Sequence, residues 1–245
     1  MYTKDIILAT AFLLYPFLLL MVSRLLDKSG VRKDMSRKFV HASMGIVILF
    51  IPFFDHKWIA LIPPILFTAI NLADLYWGIF SQIQGEDRGN VGTVLYPISY
   101  IILISLFYRT PYWGMAVLGV LAMAFGDAGA SVVGREYGKT KYEISGEQRS
   151  VEGSAAMFTI TFILAFIIFT IYSAQFGVTA SRRGVLAASF IVASFATGVE
   201  ALSIKGSDNI TVPVLTALGG WGLVALMSPN MFGDQSIVNV PLYGE

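Results

Sequence analysis

The chain has 245 residues, 56% hydrophobic and 13% charged, with a net charge of +1, no cysteine and two histidines. A soluble domain carries about a quarter charged residues, so this is an integral membrane protein. The absent cysteines exclude disulfides, thiolate catalysis and cysteine metal sites; the two histidines are too few for a histidine-rich centre; and the near-neutral charge offers no basic surface for nucleic acid.

In chain order, apolar blocks of roughly 16–22 residues predict an all-α polytopic membrane helix bundle of about eight transmembrane helices. The first, DIILATAFLLYPFLLLMVSRLL, covers about 6–26; its apolar part is too long for a cleaved leader and no A-x-A site follows. The second, about 39–54, is short and reads as tilted or incomplete. The third, about 58–74, has Pro63 and Pro64 near its middle, which a membrane helix tolerates with a kink; without it the count is seven. The others lie at about 91–108, 112–133, 153–172, 184–202 and 211–228. No repeat or flexible linker divides the chain, so residues 1–245 read as one domain ending in a short C-terminal tail, 229–245. The pattern specifies no oligomeric state.

Charge orients the bundle. With the 27–38 loop DKSGVRKDMSRK in the cytosol, that side holds about 12 of the 17 Lys and Arg. The other side keeps Lys4, Lys57, Arg109, Arg182 and Arg183. Acids gather on the same predicted cytosolic side: Asp74 closes span three, Asp127 lies late in span five, Glu152 opens span six, Glu200 lies late in span seven, and Asp208 and Asn209 follow. A carboxylate in a membrane helix is costly and usually faces the protein interior. Acids at one depth therefore predict one polar site at the cytosolic face.

GREYGKT, Gly134 to Thr140, ends like a Walker A loop. Three residues, not four, separate Gly134 and Gly138, and the segment before them reads as a membrane helix rather than a strand. It is not a P-loop. Gly126, Ala130 and Gly134 lie four apart on one helix face that admits close approach of a helix or a ligand, and Asp127 and Ser131 share an adjacent face. Arg135, Lys139, Lys141 and Arg149 follow within one loop. Carboxylates beside cations and glycines are what a magnesium-bound polyphosphate needs; a solvated basic loop is the alternative reading.

The segments RKFVHASMG (37–45), GNVGTVLYPISY (89–100), GDAGASVVGREYGKTKYEI (126–144), RSVEGS (149–154) and EALSIKGSDNITVP (200–213) resemble the membrane family of dolichol kinase, phytol kinase and the CTP-dependent diacylglycerol kinases. The family usually has lysine where this chain has Arg149, a cation that binds phosphate as a planar fork. The resemblance implies transfer of the γ-phosphate of CTP, with Mg²⁺, to the hydroxyl of a membrane lipid alcohol of polyprenol, dolichol, phytol or geranylgeraniol type.

On that resemblance, Asp127 and Glu152 are expected to hold the metal, and Asp127, Glu152, Glu200 and Asp208 to be catalytic, one acid accepting the hydroxyl proton. Gly126, Ser131, Gly134, Arg135, Gly138, Lys139, Lys141, Arg149, Ser150, Gly153 and Asn209 are expected around the nucleotide phosphates. Arg37, Lys38 and His41 are expected at the lipid substrate or headgroups. The expected partners are thus CTP, a lipid alcohol and the bilayer, with no nucleic acid. A cytidylyltransferase, which keeps CMP and releases pyrophosphate, uses the same groups. A transporter would need inverted halves and midplane acids, which this sequence does not present.

Overall fold

The computed structural model describes residues 2–78, 91–144, 146–176, 181–204 and 206–227. The expected tail at 229–245 lies outside the described residues. Helix α1, Thr3–Lys28, carries Pro16; α2, Lys33–Gly45, runs directly into a 3₁₀ segment, Ile46–Phe53. Helix α3, Lys57–Trp77, continues through Pro63 and Pro64. It ends at Gly78, whose φ of 64° favours a residue without Cβ, and whose N–H closes the last turn on the Asp74 carbonyl at 2.7 Å. Helix α4 is Gly92–Phe107 and α5 is Trp113–Leu121. A π-helical turn, Ala122–Asp127, joins α5 to α6, Ala128–Glu136. Two short antiparallel strands follow, β1 (Lys141–Ile144) and β2 (Glu147–Ser150), with Lys141 opposite Ser150. Helices α7 (Val151–Phe176), α8 (Arg182–Leu202) and α9 (Asp208–Met227) complete the described chain.

Seven stretches are long and apolar enough to cross a membrane, and α4 is a shorter eighth. Its 16 residues rise only about 24 Å, less than a ~30 Å hydrocarbon core. It is accommodated by burial: Leu103 and Ile104 are fully enclosed. The α5–α6 segment is the centre of the bundle, with 61% of its apolar stretch buried against 22% for α1 and for α7.

Small residues let the helices approach, as expected where lipid supplies no hydrophobic drive between helices. A Cβ at Gly45 would overlap Ala124, so α2 lies directly against the π-helical turn. A Cβ at Gly119 would overlap the Pro213 carbonyl, so α5 lies directly against α9. The expected stripe of Gly126, Ala130 and Gly134 is the α6–α7 contact: Gly126 meets Met157, and Gly153 meets Ala130 and Gly134.

One end of the bundle is pinned by a clamp. Buried Asp5 accepts the Asp55 and His56 N–H groups at 2.7 and 3.0 Å and lies 2.7 Å from His56 Nδ1. Lys4 reaches Asp55 at 2.6 Å, and Arg109 donates to the Phe54 carbonyl at 3.0 Å and to Asp55 at 3.2 Å. The opposite end collects the C-termini of α1, α3, α6 and α8 and the N-termini of α2, α7 and α9.

Candidate active site

The centre of that opposite end is Asp127, the last residue of the π-helical turn. Such turns re-aim side chains within a helix and recur at functional sites. Here Asp127 forms an ion pair with Lys38 of α2, its side chain 14% exposed. One turn along α2, His41 stacks on Tyr96 of α4 with ring centroids 4.6 Å apart and brings Nε2 to 2.9 Å from Met123 Sδ. Tyr96 OH donates to the His41 carbonyl at 3.2 Å. The close approach at Gly45 sets the register for all of these contacts.

Two cavities meet at Asp127. The smaller, about 280 Å³, is polar and lies between α6, the hairpin, α7 and α8. Asp127, Ser131, Gly134, Arg135, Lys141, Arg149, Ser150, Gly153 and Glu200 line it, with Gln148 and Ser154. Arg149 is ion-paired with Glu200, which is buried in α8, and donates to the Ser203 carbonyl at 2.7 Å. Its Nε is buried without a hydrogen-bond partner. Arg135 pairs with Asp34 at the start of α2, and Lys141 donates to the Gly134 carbonyl at 3.1 Å. The cavity thus presents three cations and three serines over a helix-helix contact made of glycines.

The larger cavity, about 840 Å³, is an apolar groove framed by α1, α2, α3 and α4. Arg37, Lys38, His41, Asp127, Asp208 and Asn209 stand at its polar end; Phe12, Ile51, Pro63 and Tyr100 stand at the other. From Lys38 to Ile51 is thirteen residues, about 22 Å by the α-helical rise as far as Ile46 and the 3₁₀ rise beyond it. Its shape suits one long apolar chain with a polar head at Asp127.

The expected residues therefore separate. Gly126 lines neither cavity and serves the α6–α7 contact. Gly138 also lies outside both; a Cβ there would strike the Gly134 carbonyl and sit 2.7 Å from Ser150 Oγ, so its role is close packing. Lys139 is exposed and lines neither cavity. Ser150 caps α7 by accepting the Gly153 N–H at 3.1 Å. Glu152, expected at the metal, lines neither cavity; its carboxylate accepts the Thr140 N–H at 3.2 Å and ties the loop to α7. Asp208 and Asn209 line the apolar groove rather than the phosphate-type cavity. Asp74 is buried outside both cavities. Among the described residues no group of three or more His, Asp or Glu side chains forms a metal cage. A cation held by one or two carboxylates plus substrate phosphates is the arrangement magnesium favours, and Asp127 at the cavity junction fits it.

Sequence reasoning missed Gln148, Ser154, Tyr96, Tyr100 and the groove itself. The visible signal was Tyr96 and Tyr100, one turn apart in an otherwise apolar helix.

No family model matches the chain, and no solved structure matches it. It is 30% identical to a phytol kinase from Synechocystis sp., over 77% of this chain and 78% of that one. It is 26% identical to phytol kinase 1 of Arabidopsis thaliana, over 83% of this chain and 71% of the relative. Farnesol kinase of Arabidopsis thaliana is also 26% identical, over 80% of this chain and 68% of its own. On these relatives the chain belongs to the family of membrane lipid-alcohol kinases that includes phytol kinase and farnesol kinase.

Proposed function

We propose that this phosphotransferase moves the γ-phosphate of CTP to the primary hydroxyl of an isoprenoid alcohol, with the bundle's polar end facing the cytosol. The observation that carries the reading is the shared carboxylate: Asp127 lines both the cationic cavity and the apolar groove. Relatives named for phytol and farnesol support an isoprenoid acceptor. About 12 of the 17 Lys and Arg on the predicted cytosolic side support the orientation.

In this reading Arg149, Arg135, Lys141 and Ser131 hold the triphosphate, and Lys38 and Arg149 offset charge as the transfer proceeds. Bound Mg²⁺, held by Asp127 and phosphate oxygens, would neutralise charge on the leaving diphosphate. The alcohol oxygen bonds to the γ-phosphorus as the bond to the β–γ bridging oxygen breaks, and CDP leaves. The hydroxyl proton passes to a carboxylate at the junction; Asp208, in the groove, is placed on the acceptor's side. Phosphoryl transfer depends chiefly on positioning and charge neutralisation; the cations would supply the neutralisation, and a carboxylate shared by two cavities would position the metal between donor and acceptor.

The test supplies purified protein in lipid vesicles with γ-labelled CTP, ATP, GTP or UTP and a panel of lipid alcohols. Labelled lipid monophosphate with CDP as co-product, and CTP preferred at low concentration, is the expected result. Equal turnover of all four nucleotides refutes the donor assignment. A CDP-lipid with pyrophosphate refutes the kinase step and indicates cytidylyl transfer.

A further inference from the structure

We propose that the acceptor alcohol enters the site sideways from the bilayer, through a portal between α1 and α3. This rests on the reading of the apolar groove as the acceptor site. The two helices are joined at their outer ends: Asp5 of α1 holds the turn before α3, and Ala9 and Phe12 share one buried cluster with Ile59 and Ala60. Toward the polar end the groove runs between them. Phe17 and Met21 of α1 and Ile70 of α3 line the groove, yet are 51%, 62% and 38% exposed. The groove's inner wall is closed, with Ile51, Tyr96 and Tyr100 all buried. A residue that lines a cavity and also faces outward marks its rim, so the long side of the groove is open at membrane depth.

Helix chemistry agrees. Pro16, Pro63 and Pro64 line the groove on the two helices that flank the proposed portal, while Pro97 of α4 lines it elsewhere. Each proline removes a backbone donor and bends or loosens the turn before it. The occupant is fixed by continuity with the kinase centre, since the groove ends on Lys38, Asp127 and Asp208. A long-chain alcohol is dissolved in the bilayer, and a lateral route keeps its tail out of water while the hydroxyl slides to the polar end. A short alcohol, soluble in water, reaches the same centre through the polar mouth and needs no portal.

The chain has no cysteine, so Met21→Cys with Ile70→Cys creates the only reactive pair. The double variant is placed in vesicles and treated with a cleavable bifunctional thiol reagent. Turnover is measured with geranylgeraniol in the bilayer and with prenol in water, before and after cleavage. Bridging the portal should lower geranylgeraniol turnover by about tenfold or more, leave prenol turnover unchanged, and be reversed by cleavage. Each single variant, treated alike, gives the effect of attachment without bridging, measured against its own untreated activity; the geranylgeraniol loss on bridging should exceed it by about tenfold. Unchanged geranylgeraniol turnover after complete bridging overturns the portal, as does equal loss of both activities. Leu20→Trp, which fills the groove from α1, separates this failure from failure of the acceptor-site reading. If the groove holds the acceptor, this variant raises the KM for geranylgeraniol in unbridged, monodisperse protein. An unchanged KM refutes the groove as acceptor site, whatever bridging does.

Discussion

Asp127→Asn tests the proposed chemistry most directly. The substitution keeps the size of the side chain and removes one charge. Asp127 is ion-paired with Lys38, and both side chains are mostly buried, at 14% and 28% exposure. Removing one partner of a buried pair usually strands the other at a cost of about 3–5 kcal/mol. Here the cost should be smaller, because Asp208 lines the same groove as Lys38 and can offer it a second carboxylate, and Glu200 already holds Arg149. The junction keeps two carboxylates for its two cations, so folded yield should stay near wild type. Catalysis should not survive. The lost carboxylate lines both the cationic cavity and the apolar groove, and a preorganised charge in a dry site is worth roughly 2.7–4 kcal/mol, or about a hundredfold or more in rate. The assay is lipid-phosphate formation in vesicles across a magnesium titration, alongside detergent-solubilised yield. Glu143→Gln on the exposed strand β1 is the control and should be near wild type. The double variant Lys38→Met with Asp127→Asn should fold and remain inactive, which separates a chemical role from that of a mere ion-pair partner. A well-folded Asp127→Asn protein with wild-type turnover and wild-type magnesium dependence refutes the reasoning.

Gly138→Ala places a methyl group against the Gly134 carbonyl and Ser150 Oγ, so it should cost about 1–3 kcal/mol of stability by overpacking, read as a lower melting temperature. At the opposite end of the bundle, the hydrogen bond from Lys4, aided by Arg109, holds the Asp55 carboxyl below its ordinary range. The clamp's contribution is therefore present above the unfolded-state pKa of Asp55 and lost as pH falls through the lowered folded-state value; Lys4→Met should flatten the acid limb of stability against pH. Single cysteines at Lys33, Thr140 and Ser207 should react with an impermeant thiol reagent from the cytosolic face; reaction of Thr140→Cys from the other face refutes the proposed orientation.

The spans were legible because bilayer thickness imposes a length on every apolar run, and that constraint is local. The count of about eight survives even where α4 is short, since its burial replaces lipid contact. The glycine stripe at Gly126, Ala130 and Gly134 was legible as a face of close approach, but its partner was not. That partner is α7, whose Met157 and Gly153 reach it from about twenty to thirty residues away. Glu152 illustrates the same limit. An acid beside Arg149 and Ser150 reads as part of a phosphate site, while the fold uses it to hold the Thr140 N–H. The hairpin that makes this possible carries no strong strand pattern in its four-residue strands. The groove was invisible for a related reason. Its walls are ordinary apolar residues of four helices, and only packing distinguishes those that line it from those that face lipid.

The depth of Asp127 explains why so many charges surround it. The end of α6 at Glu136 lies nine positions farther on, about 13 Å along the helix axis. A triphosphate reaching that depth would leave water and lie against apolar helices, where unpaired charge is costly. Arg135 and Lys141 stand at the outer wall of the small cavity and Arg149 farther in, already neutralised by Glu200. Cations prepaid with carboxylates can be buried before the nucleotide arrives, and exchange one anionic partner for another when it does. An alcohol whose hydroxyl sits at the top of an apolar groove need rise no farther than Lys38 and Asp127 to meet it. On the proposed reaction the site lies below the helix ends because its two substrates would come from different solvents, and Asp127 would mark the depth at which both can stand.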